Sequence, residues 1–341
     1  MARRLGDCVP YIGGGGEAKV LLPLCETLLN AEETEVRTAA AQAVAKIMPQ
    51  VGDKSSVVKE YLELYRRLVV DDGGEIFYSR VSACQIAPAL YRACSYDVGD
   101  QTVVKDAYVK LTIDELSMIR RAALASFVEM CQSADPDILT GEFLGILKQL
   151  SNDDVSSVKI LAVEAIPGFT TILHEHKASD IIVSEVVPLV IQATEDTSWR
   201  VKCAVAKEFG VFASIVPEEN VGDLYRSGVS LMSDEEPDVR QLIVPNLFFY
   251  FPHVGLEPFC TPLIPMLQML FDDPVPEVRK SIAELTVDTA IVAGNESMAS
   301  HLTDLVMKLI SDEDSSVRLR ILSKLTRVAE DVPNLLTKMT P

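Results

Sequence analysis

The chain has 341 residues and a formal net charge of −19; 48% of its residues are hydrophobic and 24% are charged. This composition supports a substantial buried core and excludes a disordered chain. The excess of acid argues against nucleic-acid and anionic membrane partners, which require clustered Lys and Arg, and it favours basic surfaces on partner proteins.

The amino-terminal residues 1–16 form a partial unit that ends in four consecutive glycines at 13–16. The segment carries two arginines but has no apolar core of a signal peptide, and no stretch of 18 apolar residues occurs in the chain. The glycines are not followed by the Lys-Ser/Thr of a phosphate loop. We therefore expect no membrane span and interpret 13–16 as a flexible inter-helix turn.

From residue 17 onward, a pair of apolar helical stretches recurs with a basic residue at the same place in each copy. These residues are Arg37, Arg80, Arg120, Lys159, Arg200, Arg240, Arg279 and Arg318, at intervals of 43, 40, 39, 41, 40, 39 and 39 residues. A period near forty with two amphipathic helices is typical of HEAT or armadillo repeats.

We predict an all-α fold, an α-solenoid of HEAT repeats with about eight complete units and partial units at both ends, spanning 1–341 as one array. The predicted boundaries are 1–16 (partial), 17–52, 53–97, 98–135, 136–176, 177–217, 218–255, 256–295, 296–331 and 332–341 (partial).

Three prolines fall within predicted first helices, at Pro23, Pro188 and Pro265. A proline inside a helix removes one backbone hydrogen bond and bends the helix, so we expect bent first helices.

Histidines and cysteines offer little chemistry. His174 and His176 lie two residues apart, on different sides of a helix, so a solvated turn is favoured over a metal site. The cysteines form no CxxC pair and are expected to be reduced core thiols of a cytoplasmic or nuclear protein. They are Cys8, Cys25, Cys84, Cys94, Cys131, Cys203 and Cys260. The sequence thus predicts no catalytic, metal or cofactor site.

Two aromatic features stand out. Trp199, the only tryptophan, lies in a turn, where it either packs against the next turn or is offered to a partner, and the sequence leaves both open. The run FFYF at 248–251 is expected to enter the core and a repeat-to-repeat turn.

The last complete units show the pattern best. First helices are predicted over 263–271 and 298–310, and second helices over 278–292 and 317–330. In the last of these, Val317, Ile321, Leu325 and Val328 form one stripe that a neighbouring helix must bury.

Acidic residues precede nearly every predicted second helix. They are Glu32 and Glu33, Asp71 and Asp72, Asp114 and Glu115, Asp153 and Asp154, Glu195 and Asp196, Asp234 to Glu236, Asp272 and Asp273, and Asp312 to Asp314. Such carboxylates can satisfy free amide groups and the helix dipole. Because each basic residue lies about five residues beyond its acids, we also predict an acid-to-base ladder between stacked units.

Four phrases resemble consecutive units of the scaffold (A, PR65-type) subunit of protein phosphatase 2A. They are GEIFYSRVSAC (74–84), SMIRRAALASF (117–127), SSVKILAVEAI (156–166) and EDTSWRVKCAVAKEF (195–209). The resemblance covers almost the whole chain in unit order. It implies a non-enzymatic scaffold that holds a regulatory (B-type) subunit. It also implies that the repeats holding the catalytic subunit are missing here, so that this subunit is a partner only of a longer protein.

The resemblance implies that partners bind a row of intra-repeat turns. The matching positions are Glu32, Glu33, Thr34, Phe77, Glu115, Met118, Arg120, Arg121, Trp199 and Arg200. Two turn positions depart from the family pattern: Ile76 stands where Trp is usual and Ser117 where Pro is frequent. These departures point to a different choice of regulatory subunit.

Two alternatives remain open. A tubulin-binding HEAT array also places a tryptophan in an intra-repeat turn, although the net charge of −19 would repel acidic tubulin. A helical-repeat metalloenzyme would need several His-Glu pairs, and the chain has one such pair, His174 and Glu175.

Overall fold

A computed structural model describes residues 2–52, 55–70, 77–293 and 298–331. Within these ranges the regular secondary structure is helical, which confirms the predicted all-α fold. Contacts between Cα atoms divide the chain into two compact units, Met1–Ile172 and Leu173–Pro341.

The first unit opens with two 3₁₀ helices, Ala2–Ile12 and Gly15–Leu21, and has a π-helical turn at Leu139–Phe143. Its α-helices are α1 (Leu22–Leu29), α2 (Thr34–Val51), α3 (Ser55–Val69), α4 (Phe77–Ala93), α5 (Val98–Thr112), α6 (Ser117–Cys131), α7 (Pro136–Ile138), α8 (Leu144–Ser151) and α9 (Ser156–Glu175). The second helices α2, α4 and α6 pack in sequence, and so do the first helices α1, α3 and α5.

The second unit has the same plan. Its α-helices are α10 (Ser179–Ile181), α11 (Val187–Thr194), α12 (Trp199–Glu208), α13 (Phe212–Ile215), α14 (Glu218–Ser230), α15 (Pro237–Leu247), α16 (Phe251–Val254), α17 (Leu256–Leu270), α18 (Pro276–Ala293), α19 (Met298–Ile310) and α20 (Ser315–Asp331). Short helical turns at Ile182–Val186, Phe209–Val211, Leu231–Ser233 and Phe248–Tyr250 join some of them. The second helices α12, α15, α18 and α20 pack one after another, with α14, α17 and α19 as the first-helix layer.

The apolar stripes of the second helices form the core in each unit. Val317 and Ile321 are fully buried, as predicted, whereas the side chains of Leu325 and Val328 lie outside the described residues. Helices α18 and α20 both begin two residues before their predicted starts, at Pro276 and Ser315.

Buried tyrosines hydrogen-bond to backbone carbonyl groups of neighbouring helices. In the first unit the Tyr61 hydroxyl donates to the carbonyl of Ala18 at 3.0 Å. In the second unit the Tyr250 hydroxyl donates to that of Phe209 at 2.9 Å. Each bond satisfies a polar group inside the apolar core, where an unpaired hydroxyl would be costly.

The prolines of the first helices lie within helical backbone. Pro23 follows the 3₁₀ helix Gly15–Leu21 without a break, and Pro188 follows the π-helical turn Ile182–Val186 without a break. Pro265 lies inside its helix, α17, together with Pro262.

The glycine-rich turn is more tightly packed than a flexible connection requires. Gly13 and Gly14 have φ angles of 105° and 85°, which favour glycine. A Cβ atom on Gly15 would lie 1.9 Å from the carbonyl oxygen of Gln50, so the backbone of this turn approaches α2 directly. Gly15 and Gly16 belong to the second 3₁₀ helix, so the predicted inter-helix turn is confined to Gly13 and Gly14.

One described helix, Ser156–Glu175, is long and apolar enough to cross a bilayer by length and composition. Because 56% of its most apolar 18-residue stretch is buried inside the protein, it has the character of a core helix.

Candidate partner-binding ridge

Six of the described turns between first and second helices share one construction. An aspartate near the start of the turn accepts a hydrogen bond on Oδ1 from the backbone amide two residues later, at 2.7–3.0 Å. These residues are Asp114 and Asp153 in the first unit, and Asp196, Asp234, Asp273 and Asp312 in the second. The bond stabilises the turn.

The predicted helix capping is present at α20 and absent at four other helices. Asp314 accepts a hydrogen bond on Oδ1 from the backbone amide of Ser316, the second residue of α20, at 2.7 Å. The N-cap residues Glu33, Leu116, Ser198 and Glu236 make no side-chain capping bond. The shared geometry is a turn held by the aspartate, and the helix follows it.

The predicted ladder is present in both units. In the first, Arg120 forms a bidentate pair with Asp153, with Nε–Oδ2 and Nη2–Oδ1 distances of 2.7 and 2.8 Å. Its Nη1 donates to the carbonyl oxygens of Asp114 and Glu115 at 2.8 and 3.1 Å. The Arg120 guanidinium thus hydrogen-bonds to the backbone of its own turn and pairs with the aspartate of the next turn.

The same pairing recurs elsewhere. Arg80 meets Asp114 at 3.1 Å in the first unit; in the second, Arg240 meets Asp273 at 2.7 Å and Arg279 meets Asp312 at 2.9 Å. Arg318 donates to the carbonyl oxygens of Asp312 and Glu313. Arg37 likewise donates to the carbonyl oxygens of Ala31 and Glu32, while its predicted acidic partners, Asp71 and Asp72, lie outside the described residues.

One position in the predicted ladder is wrong. Lys202, not Arg200, pairs with Asp234, at 2.7 Å. Lys202 lies six residues beyond Asp196, the same spacing that separates Arg240 from Asp234. Two residues rotate a helix by about 200°. Arg200 therefore faces away from the stack, and it is exposed.

The ladder divides the acids of each turn into two kinds. The paired acid is buried and its neighbour is exposed: 7% of the Asp153 side chain is accessible against 87% of Asp154, and 3% of Asp312 against 88% of Glu313. Both exposed acids also contact a ladder arginine, Asp154 with Arg120 at 3.1 Å and Glu313 with Arg279 at 3.3 Å.

At two of the paired acids, hydrogen bonds and nearby charges together lower the pKa by more than burial raises it. Burial opposes ionisation of Asp153 and Asp312, but hydrogen bonds from Arg120 and Arg279 hold the pKa of each carboxyl below its ordinary value. The same hydrogen bonds raise the pKa of Arg120 and Arg279. Both partners therefore stay charged across the physiological range.

The predicted partner-binding residues occupy these turns. Glu32, Glu33 and Thr34 are exposed in the α1–α2 turn. Glu115, Met118 and Arg121 are exposed in and just after the α5–α6 turn. We call the turns before α2, α6 and α9 the turn ridge of the first unit, and the turns before α12, α15, α18 and α20 the turn ridge of the second unit.

Other predicted residues are less available. Arg120 is committed to the ladder, and Phe77 is half-buried with its ring centroid 4.2 Å from that of Tyr78. Ser117 is the first residue of α6 and is half-buried, whereas Ile76 lies outside the described residues.

Trp199 is the first residue of α12, directly after the turn. Its side chain is half-buried at the start of α12, and the Arg200 guanidinium carbon lies 4.5 Å from its ring centroid. This cation–π contact holds an aromatic and a cation together at the second unit's turn ridge.

The sequence did not single out Ile113 and Leu116. Both are exposed in the α5–α6 turn, 54% and 38% respectively. The sequence could have indicated them, because these apolar residues lie in an otherwise acidic turn and belong to the buried apolar stripe of neither flanking helix.

The FFYF run was only partly predicted. Tyr250 is fully buried, but Phe249 is 61% exposed. The prediction of core burial is therefore wrong for Phe249.

The described residues include no group of three or more His, Cys, Asp and Glu side chains placed to hold a metal ion. His174 and His176 are exposed at the end of α9 and just beyond it. Burial raises the pKa of Cys25 and Cys203 to about 11, so these thiols are protonated and weakly nucleophilic at neutral pH.

Comparisons with known proteins match this architecture. A HEAT repeat family model matches residues 21–51. The alpha isoform of the Arabidopsis thaliana serine/threonine-protein phosphatase 2A 65 kDa regulatory A-type subunit is 36% identical over 144 residues, which cover 42% of this chain and 24% of that protein. The beta isoform from Homo sapiens is 28% identical over 326 residues, with coverages of 72% and 53%.

A Schizosaccharomyces pombe relative, the A-type regulatory subunit of protein phosphatase PP2A, is 28% identical over 235 residues, covering 69% of this chain and 37% of the relative. The chain thus spans between about a quarter and about half of the length of these relatives. The crystal structure of the karyopherin Kap121p bound to the SUMO protease Ulp1p has a TM-score of 0.64 and 14% identity, covering 94% of this chain and 34% of that one. This last likeness concerns the fold alone.

The fold and the turns define a helical-repeat protein of the HEAT type, in the α-solenoid class predicted from the sequence. Within that class, the chain is similar to the A-type regulatory subunits of protein phosphatase 2A.

Proposed function

We propose that the chain is a non-catalytic scaffold of a protein phosphatase 2A-type holoenzyme and that its turn ridge binds a regulatory (B-type) subunit. The observation that carries the proposal is the repeated turn, in which a buried ladder fixes the backbone while neighbouring side chains stay exposed. Sequence similarity to the A-type phosphatase regulatory subunits supports the choice of partner.

The ladder suits a scaffold because it makes the ridge rigid. A binding surface whose backbone is already ordered loses less conformational entropy on association than a mobile loop does. Contact with a catalytic subunit enters the proposal only for repeats beyond the ones described. We place the complex in the cytoplasm, and also in the nucleus.

Trp199 tests the proposal in the second unit. Trp199→Ala should weaken binding of a purified B-type regulatory subunit by about 1–4 kcal/mol if Trp199 is a hot spot, measured by titration calorimetry. Phe249→Ala is the matched control, because Phe249 is an exposed aromatic residue outside the turns. Circular dichroism should show equal helicity for both variants.

A wild-type chain that fails to bind every B-type subunit of its own source would refute the proposed function. Equal binding by the wild type and Trp199→Ala would leave the function standing and assign Trp199 to packing. Sedimentation with tubulin at low salt tests the tubulin alternative, which the exposed acids of the ridge disfavour. Metal analysis of the purified chain tests the metalloenzyme alternative.

A further inference from the structure

A cleft opens between the first helices α14 and α17 of the second unit. Its volume is about 410 Å³, which lies within the range of small-molecule binding sites. The cleft is near the amino-terminal ends of both helices, whereas the turn before α15 follows the carboxyl-terminal end of α14. Asp234 of that turn comes twelve residues after Gly222 of the cleft, about 18 Å along a helix. The cleft is therefore separate from the turn ridge of the second unit.

The walls of the cleft are largely apolar. Tyr225 lines it from α14, Val254 from the end of α16, and Pro258 and Pro262 from α17. Tyr225 is buried, and its hydroxyl donates to the carbonyl group of Phe259 at 2.7 Å. Because that hydroxyl is already bonded inside the core, Tyr225 contributes its ring to the cleft. The apolar part of a ligand would be covered by these walls.

Packing explains one glycine of α14 but not the other. A Cβ atom at Gly228 would lie 2.3 Å from a ring carbon of Phe209, so packing requires a glycine there. At Gly222, which lines the cleft, a Cβ atom would meet only the Nη1 atom of Arg226 within 4 Å, at 3.9 Å. Glycine inside a helix is less favourable than alanine. Where a residue breaks a local preference without a packing gain, function is the expected reason, and the missing side chain keeps the cleft open.

The prolines of α17 leave hydrogen-bond acceptors at the cleft. Pro262 and Pro265 lie inside the helix and have no amide hydrogen. The carbonyl groups four residues earlier, on Pro258 and Thr261, therefore lack their helical amide donors. Both of these residues line the cleft. A ligand that carries hydrogen-bond donors fits these two acceptors.

The charged groups of α14, α16 and α17 favour a cation. The three helices contain four carboxylates, on Glu218, Glu219, Asp223 and Glu257, against one guanidinium, on Arg226. Arg226 pairs with Asp223 of its own helix, so the base at the cleft already has a partner. Glu257 lines the cleft, is exposed, and forms no ion pair within the described residues. Its carboxylate is therefore open to a cationic ligand.

We propose that this cleft binds a small organic cation, in which a protonated amine is joined to a short apolar body. The apolar body lies against Tyr225 and the two prolines that line the cleft. The ammonium group donates to the Glu257 carboxylate and to the carbonyl groups of Pro258 and Thr261. The site binds its ligand without changing it, and it is independent of the proposed function because the turn ridge is elsewhere.

Phenethylamine is the first probe, and saturation-transfer NMR on the full chain measures its binding. 2-Phenylethanol and phenylacetate are the neutral and anionic analogues of similar size. The amine should bind about threefold to tenfold more tightly than the alcohol, because charge-assisted hydrogen bonds are stronger than neutral ones. Phenylacetate should bind more weakly than the alcohol. Absence of saturation transfer to the amine, or equal binding of the three compounds, would overturn the proposal.

Gly222→Leu tests the location of the site. Leucine favours the helix more than glycine does, so the melting temperature should be at least that of the wild type. The new side chain should fill the cleft and abolish amine binding. Gly145→Leu is the matched control, because Gly145 is exposed in α8 of the first unit and a Cβ atom there meets nothing within 4 Å. Amine binding that persists in Gly222→Leu would overturn the proposal.

Glu257→Gln tests the charge without changing the shape of the cleft. Its affinity for phenethylamine should fall to its affinity for 2-phenylethanol, while the affinity for the alcohol stays that of the wild type. Glu219→Gln is the control, because Glu219 is an exposed acid at the start of α14 that does not line the cleft. It should keep most of the preference for the amine. A Glu257→Gln variant that keeps the full preference would refute the cation site.

Discussion

Removal of one ladder arginine should destabilise the second unit far more than removal of an exposed arginine in the same unit. Arg240 forms a bidentate pair with Asp273 at 2.7 and 3.1 Å, and both residues are buried. The Arg240 Nη1 atom also donates to the carbonyl oxygens of Asp234 and Glu235, at 2.7 and 2.9 Å. Arg240→Ala would leave a buried carboxylate and two carbonyl groups without these donors.

Breaking a buried ion pair from one side costs about 3–5 kcal/mol, because the remaining charge is left uncompensated. The control is Arg226→Ala. Arg226 pairs with Asp223 on the surface of α14, with both side chains more than half exposed, and such pairs contribute about 0–1 kcal/mol. The expected difference between the two variants is therefore at least about 2 kcal/mol.

Urea denaturation followed by circular dichroism measures this difference, and hydrogen exchange reports where it arises. Protection should fall first in the turns before α15 and α18, which Arg240 joins. If Arg240→Ala costs no more than Arg226→Ala, the ladder does not stabilise the turns, and the rigid ridge on which the proposed function relies is refuted.

Three further outcomes are expected. Lys202→Ala should destabilise the protein by about 1–3 kcal/mol, because it leaves the buried Asp234 side chain without its ion pair. Arg200→Ala should change the free energy of unfolding by no more than about 0.5 kcal/mol. Equal effects of the two substitutions in urea denaturation would refute the revised ladder. Gly228→Ala should lower the melting temperature, since its Cβ would lie 2.3 Å from a ring carbon of Phe209, whereas Gly145→Ala, with nothing within 4 Å, should raise or preserve it. The pKa of Asp312 is lower in the folded protein than in the unfolded chain, where it is about 3.9. Ionised Asp312 therefore stabilises the fold above that value, and this stabilisation is lost as the pH falls through the folded pKa. An Asp312→Asn variant should accordingly lose less stability than the wild type on acidification below about pH 4. Parallel acid denaturation curves would contradict that assignment.

Repeat architecture could be predicted because it is written in local patterns. The basic residue recurs with a period near forty, and the stripe that includes Val317 and Ile321 matches the helical period. The ladder followed from the constant offset between acids and bases, since units stacked at one repeat spacing bring the same positions together each time.

Changes of helix type and close backbone contacts were harder to predict from the sequence. Pro23 and Pro188 lie in continuous helical backbone as predicted, but nothing in the sequence marks the 3₁₀ and π-helical segments that directly precede them. Gly15 looked like a spacer because its sequence gives no sign that the Gln50 carbonyl lies against it.

The sequence by itself determined the helical-repeat class, the approximate position of each helix pair, and the row of acidic turns. Only the tertiary structure showed which base forms each ion pair of the ladder and which acid of each turn is exposed. It also showed that Leu116 is partly exposed to solvent. The physical reason is that periodicity is a local property of the chain, whereas burial depends on the rotational phase of each helix against its neighbour. Lys202 and Arg200 differ by two positions in the sequence, yet that difference places one in the stack and the other in solvent.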